Sequence, residues 1–247
     1  MRTAQAVAWK EIQVYFSNPT AYIVGMILLV GTGIFFTIEL RNPFPEASLR
    51  NFFLGVDLGN VTFGGVTLMM VLFAPALTMR LLAEEQKMGT IELLMTSPVR
   101  DWEVVVGKYL ASLVFLLATL ALTLYYTILL VVFASPDAGP IYAGYLGLAL
   151  YGGAALSVGL LCSTLTSNQI VAAVVAMGIL LVLYFADLAS GNISGTASTV
   201  IGELSIKSHF DDFARGVIDT KHVVYYLSFI ASFLFLSIRS LESRRWR

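Results

Sequence analysis

The chain has 247 residues, of which 57% are hydrophobic and only 13% are charged, and its formal net charge is -1. Soluble domains carry charge at about a quarter of their positions, so this composition excludes an ordinary soluble protein and predicts an integral membrane protein. The single cysteine, Cys162, excludes an internal disulfide and a cysteine metal cluster.

Residues 1–19 predict an amphipathic helix that lies flat in the membrane interface and turns into the bilayer at Pro19. Its apolar face carries Trp9, Ile12 and Phe16, and Lys10 lies on its polar face. No small-residue cleavage signature follows the basic residues, so we do not expect a signal peptide.

Six later stretches approach the roughly 20 apolar residues that a helix needs to cross a bilayer. They are residues 20–38, 61–82, 104–133, 142–165, 169–188 and 223–238. The fourth carries two ladders of small residues at helical spacing, which are typical of a helix buried in a bundle or at a subunit interface. The fold class predicted is an all-α integral membrane protein with six transmembrane helices after an interfacial helix.

The third stretch is longer than a span requires, so its start is expected to project from the membrane. We predict Asp101 as its N-cap, with Glu103 in the first turn. Lys108 is expected to extend to the cytoplasmic surface while its methylenes remain in apolar surroundings.

Basic residues predict the orientation. With the N-terminus inside, ten Lys and Arg residues fall in cytoplasmic segments and five outside. This excess favours cytoplasmic placement of both termini and of the loop at 80–103.

The loop at 80–103 is too rich in charge to lie in hydrocarbon. Within it, Thr90 can cap a short helix with Ile91, Leu94 and Met95 on one face, and Pro98 ends that helix. Such an apolar face is a candidate docking element for a soluble partner. The alternative is a loop whose apolar residues lie against lipid headgroups, and the spacing does not separate the two.

Two segments are predicted outside the membrane. In the first, at 41–60, residues 48–54 predict a short helix at the outer interface. The second, at 189–222, predicts an amphipathic helix or hairpin in the outer leaflet. Its apolar positions at helical spacing are Ile206, Phe210, Phe213 and Val217, and its charged positions, which fall largely elsewhere, include Asp211, Asp212, Arg215 and Asp219.

Catalytic motifs are absent from the sequence. There is no Walker pattern, so we expect no ATPase activity in this chain. A zinc site from His209 and His222 would have to recruit Asp211 and Asp212, and we expect no metal there. An intramembrane enzyme is disfavoured because the spans offer hydroxyl groups without a base. The spans also lack the central charges of gradient-driven carriers, so energy for any work must come from another subunit.

Residues 84–94 read Glu-Glu-x-x-x-Gly-Thr-Ile-Glu-Leu-Leu and precede a Thr-Ser-Pro stop at 96–98. This pattern resembles the loop after the second span in ABC-2 type permeases, and the order of the other segments matches that family over nearly the whole chain. Residues 210–228 resemble the corresponding stretch of its gliding-motility-associated branch.

The resemblance implies one ABC-2 type transmembrane domain over residues 1–247, with the type V exporter-like permease fold. It implies a bacterial cytoplasmic membrane location, a second permease copy or a related permease, and a separate ABC ATPase that binds ATP and Mg while this chain binds no cofactor. A membrane-anchored extracytoplasmic subunit is a further implied partner in the gliding-type branch.

The resemblance also assigns roles to residues of this chain. The loop residues that would couple to the ATPase are Glu84, Glu85, Gly89, Thr90, Ile91, Glu92, Leu93, Leu94 and Met95. The N-terminal helix would be the elbow helix that moves with the loop. The outer segment would close the outer end of a path or bind a partner through Phe210, Asp211, Phe213, Arg215 and Asp219. A membrane scaffold that transmits force without moving a substrate shares all these features.

Overall fold

A computed structural model describes residues 2–40, 49–57, 62–90, 100–133, 136–191 and 195–244. The elbow helix is Arg2–Ser17, and the six membrane-length helices that follow confirm the predicted spans. Span 1 is Pro19–Leu40, span 3 is Asp101–Phe133, span 4 is Ala138–Leu165, span 5 is Gln169–Gly191 and span 6 is Thr220–Arg244. Span 2 has two helical parts, Gly65–Thr78 and Ala83–Lys87, joined by a turn.

Span 2 begins later than the sequence predicts. Residues 61–64 were expected to be helical, but Thr62–Phe63 pairs antiparallel with Val56–Asp57 as a two-residue strand. The helix starts at Gly65, where φ is +70° and an added Cβ would lie 2.4 Å from the Gly55 nitrogen. Only a glycine fits this close backbone approach, and hydropathy does not detect it. The rest of the described chain is helix, turn or loop.

The N-cap of span 3 also differs by one residue from the prediction. The helix begins at Asp101, and the Arg100 carbonyl accepts the amides of Glu103 and Val104 at 2.9 and 3.3 Å. The Glu103 carboxylate accepts the Arg100 amide at 3.2 Å, which is the return half of a capping box. Arg100 is therefore the N-cap.

Span 4 is the packing centre of the bundle. Within the most apolar 18 residues of span 4, 78% of the residues are buried, compared with 11 to 33% for the equivalent stretches of spans 1, 3, 5 and 6. The predicted small-residue ladders explain this burial, because they admit neighbouring side chains close to the helix axis. Gly153 faces Tyr109 of span 3, and Gly159 faces Thr78 of span 2.

The outer segment is folded into this bundle. It consists of the helix Thr196–Leu204, the 3-10 turn Ser208–Phe210 and the short helix Asp211–Ala214. Phe210 and Phe213 are fully buried against protein, so they do not face the leaflet as predicted. Val217 does not join them, because the helix ends at Ala214 and the chain turns at Gly216 with φ of +89°.

The first outer helix is confirmed at Arg50–Leu54, and its buried side chains pack inward against the bundle. Phe53 is fully buried and its ring contacts those of Tyr145 and Phe210 at centroid distances of 5.6 and 6.1 Å. Residues 41–48 lie outside the described residues. This helix therefore closes the same end of the bundle as Phe210 and Phe213.

Replacing Gly147 with alanine should destabilise the bundle. The new Cβ would lie 2.7 Å from the Phe213 Cβ, which cannot move without its backbone. We expect a loss of about 1–3 kcal/mol from this overpacking. Thermal unfolding of the detergent-purified chain measures it. Gly178→Ala is the matched control, because no atom lies within 4 Å of its added Cβ. Equal unfolding midpoints for the two variants would contradict this account of span 4.

Candidate functional site

A buried lysine joins three elements at one end of the bundle. The Lys108 Nζ lies 2.7 Å from Oε1 of Glu11 in the elbow helix and 2.8 Å from Oε1 of Glu85 in span 2. The Lys108 side chain is only 3% exposed. The expectation that Lys108 extends to the surface is therefore wrong, because two carboxylates are available to it inside. We call Lys108, Glu11 and Glu85 the Lys108 junction.

The charges of the Lys108 junction do not cancel. Two carboxylates share one ammonium group, which leaves one excess negative charge. Removing an ammonium group from water is costly unless it is paired and hydrogen-bonded. The ion pairs therefore hold the elbow helix and the second part of span 2 against span 3.

Aromatic contacts hold the elbow helix along span 3 beyond the junction. The Tyr15 ring stacks on Phe115 at a centroid distance of 5.5 Å, and Phe16 meets the same ring edge-on at 5.6 Å. The Tyr15 hydroxyl donates to the Leu77 carbonyl of span 2 at 3.1 Å. The pKa of Tyr15 is raised far above its usual value, mainly because the side chain is buried. The hydroxyl therefore remains a hydrogen-bond donor at neutral pH.

The turn inside span 2 is fastened to the end of span 4. The Ser163 hydroxyl oxygen accepts the amides of Leu82 and Ala83, both at 3.0 Å, and the hydroxyl donates to the Met79 carbonyl at 3.1 Å. Gln86 Nε2 donates to the Ser163 and Thr164 carbonyls at 3.3 and 3.0 Å. These bonds satisfy backbone groups that the break in the helix leaves free.

Span 1 is connected to the same region through Arg80. Its Nη1 donates to the Thr20 hydroxyl at the start of span 1, and its Nε donates to Glu84 at 3.1 Å. Spans 1, 3 and 4 and the elbow helix therefore meet residues 79–88 of span 2, and each is bonded to that segment directly or through the Lys108 junction.

The predicted coupling residues divide between interior and surface. Glu85 points inward to Lys108, whereas Glu84 is more exposed and pairs with Arg80. Gly89, with φ of +70°, and Thr90 are exposed, and the Thr90 hydroxyl donates back to the Glu85 carbonyl at 3.3 Å. The remaining coupling residues, Ile91, Glu92, Leu93, Leu94 and Met95, lie outside the described residues.

The predicted elbow residues have the exposure expected of an interfacial helix. Trp9, Lys10 and Phe16 are exposed, and Ile12 is half-buried and packs against the hydrophobic core. Glu11 was not singled out from the sequence, although it makes the most consequential polar contact of this helix. The one sequence feature that indicates such a contact is the position of Lys108 inside an apolar helix, where a lysine needs an acidic partner.

A cavity of about 380 Å³ adjoins the Lys108 junction. It lies between the elbow helix, the start of span 1 and the end of span 2. Charged side chains form one part of its lining, and the other part includes Val14, Ala21, Val24 and Leu77.

The predicted outer residues serve different structural purposes. Burial raises the pKa of the half-buried Asp211, and Arg215 is exposed. Asp219 accepts the Lys221 amide at 2.9 Å and starts span 6. Phe210 and Phe213 are core anchors, so their side chains are not accessible to a partner.

Histidines and carboxylates of the outer segment form separate pairs. His222 Nε2 lies 2.8 Å from Asp212 Oδ2, and His209 Nε2 lies 3.5 Å from Glu203 Oε2. The pKa of His209 is lowered, mainly because the ring is buried. Among the described residues, no group of three or more His, Cys, Asp or Glu side chains is arranged to hold a metal ion.

Comparison with known proteins places the chain in a family. The sequence model of the family described as "ABC-2 family transporter protein" matches residues 54–210, which is more than half of the chain. A probable multidrug ABC transporter permease, YbhR, from Escherichia coli K12 is 32% identical over 87 residues. The protein of the same name from Escherichia coli O157:H7 gives the same identity over the same length.

The matched region covers 35% of this chain and 23% of each YbhR protein, so it spans less than a quarter of those relatives. The family match is broader and includes spans 2 to 5. The chain belongs to the ABC-2 transporter family and is a multi-pass membrane protein.

Proposed function

We propose that this chain is an exporter permease whose 80–103 loop receives movement from the ATPase and passes it to the spans. The observation that supports this proposal best is the Lys108 junction, which ties the elbow helix, span 3 and the base of the loop together. A loop joined only by flexible backbone could move without displacing the membrane helices. This loop has buried ion pairs at its base.

The proposed path of movement starts at the exposed part of the loop. Residues 89–95, which include Glu92, dock on the ATPase, and Glu84 lies beside them in sequence. Displacement of this surface pulls on Glu85 and therefore on Lys108 of span 3 and Glu11 of the elbow helix. The Ser163 bonds carry the same displacement to span 4, and Arg80 carries it to span 1.

The proposed complex contains two permease chains and two ATPase subunits in a bacterial cytoplasmic membrane, with the loop and both termini on the cytoplasmic side. The placement of basic residues supports this orientation. The proposed cargo is a drug-like or lipidic molecule. The name of the YbhR relatives and the apolar character of the spans support that class.

A second candidate function is force transmission to an extracytoplasmic subunit, as the resemblance to the gliding-type branch implies. Exposed apolar side chains on the outer segment favour it, because they offer a surface for a partner. These side chains are Val200, Leu204, Val217 and Ile218. ATP-dependent export from proteoliposomes that contain only the permease and the ATPase would decide for the exporter.

Charged substitutions in the loop should abolish ATPase docking. We expect Ile91→Glu with Leu94→Glu to reduce co-purification of the ATPase at least about tenfold, because an apolar contact at the interface is replaced by unpaired charge. Ile218→Glu is the control, since it alters an exposed apolar side chain in the outer segment. Unchanged complex formation and unchanged ATP turnover in the loop variant would refute the docking role.

Neighbouring glutamates should differ in their effect on coupling. Glu85→Gln weakens the internal pair with Lys108, whereas Glu84→Gln alters the more exposed pair with Arg80. We expect the Glu85 variant to retain ATPase binding and to transport about fivefold less substrate per ATP hydrolysed. We expect a smaller change for the Glu84 variant. Paired measurements of ATP turnover and export in proteoliposomes test this. Equal coupling in both variants would argue against transmission through the Lys108 junction.

A further inference from the structure

The cavity beside the Lys108 junction is lined by positively charged, negatively charged and apolar side chains. Glu11, Glu85 and Lys108 form the first charged region, which has one excess negative charge. Within the described part of the chain, the Glu85 Oε2 atom is buried and has no hydrogen-bond partner. A buried carboxylate without a full set of donors is unfavourable, so the excess negative charge at Glu85 favours a ligand that supplies an N–H group.

The second charged region is positive. Arg80 lines the cavity and uses Nε and Nη1 for Glu84 and Thr20, and a guanidinium has further donors available. Lys10 also lines the cavity, and it forms no ion pair with the residues that the structure describes. The cavity can therefore accept an anionic group close to a cationic one.

The third region is apolar and lies where the chain enters the membrane. Val14, Ala21 and Val24 line it, and they come from the elbow helix and the first turns of span 1. Tyr22 and Ile23 beside them are more than half exposed, as expected for side chains that face lipid. A molecule in the adjacent leaflet is therefore next to the cavity.

We propose that this cavity binds a phospholipid whose headgroup carries a primary ammonium group. The ammonium pairs with the Glu85 carboxylate, the phosphate pairs with Arg80 and Lys10, and the start of an acyl chain follows Val24. A primary ammonium is required because it has N–H donors, whereas the quaternary ammonium of a choline headgroup has none. The lipid would act as a bound component that completes the Lys108 junction. This proposal goes beyond the coupling function and does not depend on it.

Native mass spectrometry of the full-length chain tests the proposal without the ATPase. The chain, delipidated in detergent, is titrated with dioleoylphosphatidylethanolamine and, separately, with dioleoylphosphatidylcholine, which has the same acyl chains and net charge. We expect about tenfold tighter retention of the ethanolamine lipid, as one charge-assisted hydrogen bond supplies. Equal retention of the two lipids by the wild-type chain would overturn the proposal.

Two variants test whether Glu85 is the side chain that distinguishes the ethanolamine lipid from the choline lipid. Glu85→Gln should reduce the preference to within about twofold, because the amide no longer provides a charged acceptor. Glu242→Gln, which alters the exposed pair with Arg239, should keep the tenfold preference. A preference that survives Glu85→Gln would place the selection elsewhere and overturn the assignment.

A further variant and a further lipid keep the test decisive if Glu85→Gln does not fold. Val24→Trp fills the apolar region and leaves all the charges in place, so it should lose retention of the ethanolamine lipid. Undiminished retention in that variant would exclude this cavity. Tighter binding of dioleoylphosphatidylglycerol than of the ethanolamine lipid would indicate recognition of an anionic headgroup by Arg80 and Lys10 alone, and would overturn the role of Glu85.

Discussion

The need to neutralise one buried ammonium group organises the loop-bearing end of this protein. Lys108 lies about two turns inside a 33-residue helix, and its partners are 97 and 23 residues away along the chain. An ammonium ion in apolar surroundings is stable only if such partners reach it, so the elbow helix and the base of the loop have to dock on span 3. The apolar contacts of Tyr15 and Phe115 strengthen this docking, but they do not specify which residues meet. The position of Lys108 supplies that specificity.

Span 4 connects this region to the opposite end of the bundle. Ser163 binds the turn of span 2, and Gly147 of the same helix contacts Phe213 of the outer segment. At 1.5 Å per residue, Gly147 and Ser163 are about 24 Å apart along span 4. A single well-packed helix is stiff over that distance because its neighbours leave little free volume. The loop end and the outer segment are therefore both attached to one rigid element.

The neighbouring residues Glu84 and Glu85 point in different directions at the base of the loop. Adjacent residues on a helix point about 100° apart, so one carboxylate faces Arg80 near the surface while the next reaches Lys108. The Glu84 side chain is the more exposed of the two, and the Glu85 side chain packs into the bundle. Glu85 also lines the cavity where the elbow helix meets span 1.

The sequence by itself determined the class of protein, the six spans, the interfacial helix and the family, because apolar run length and a local loop motif are properties of contiguous residues. It also predicted the burial of span 4 from its small residues. The tertiary structure alone decided that Lys108 turns inward, since its carboxylate partners are distant in sequence and a lysine near a helix end has two favourable placements. It likewise decided that Phe210 and Phe213 contact protein, because lipid and protein interior are equally apolar and select the same side chains. Positions set by backbone geometry, such as the start of span 2 at Gly65 and the cap at Arg100, were missed by a few residues because hydropathy does not record φ angles or hydrogen bonds.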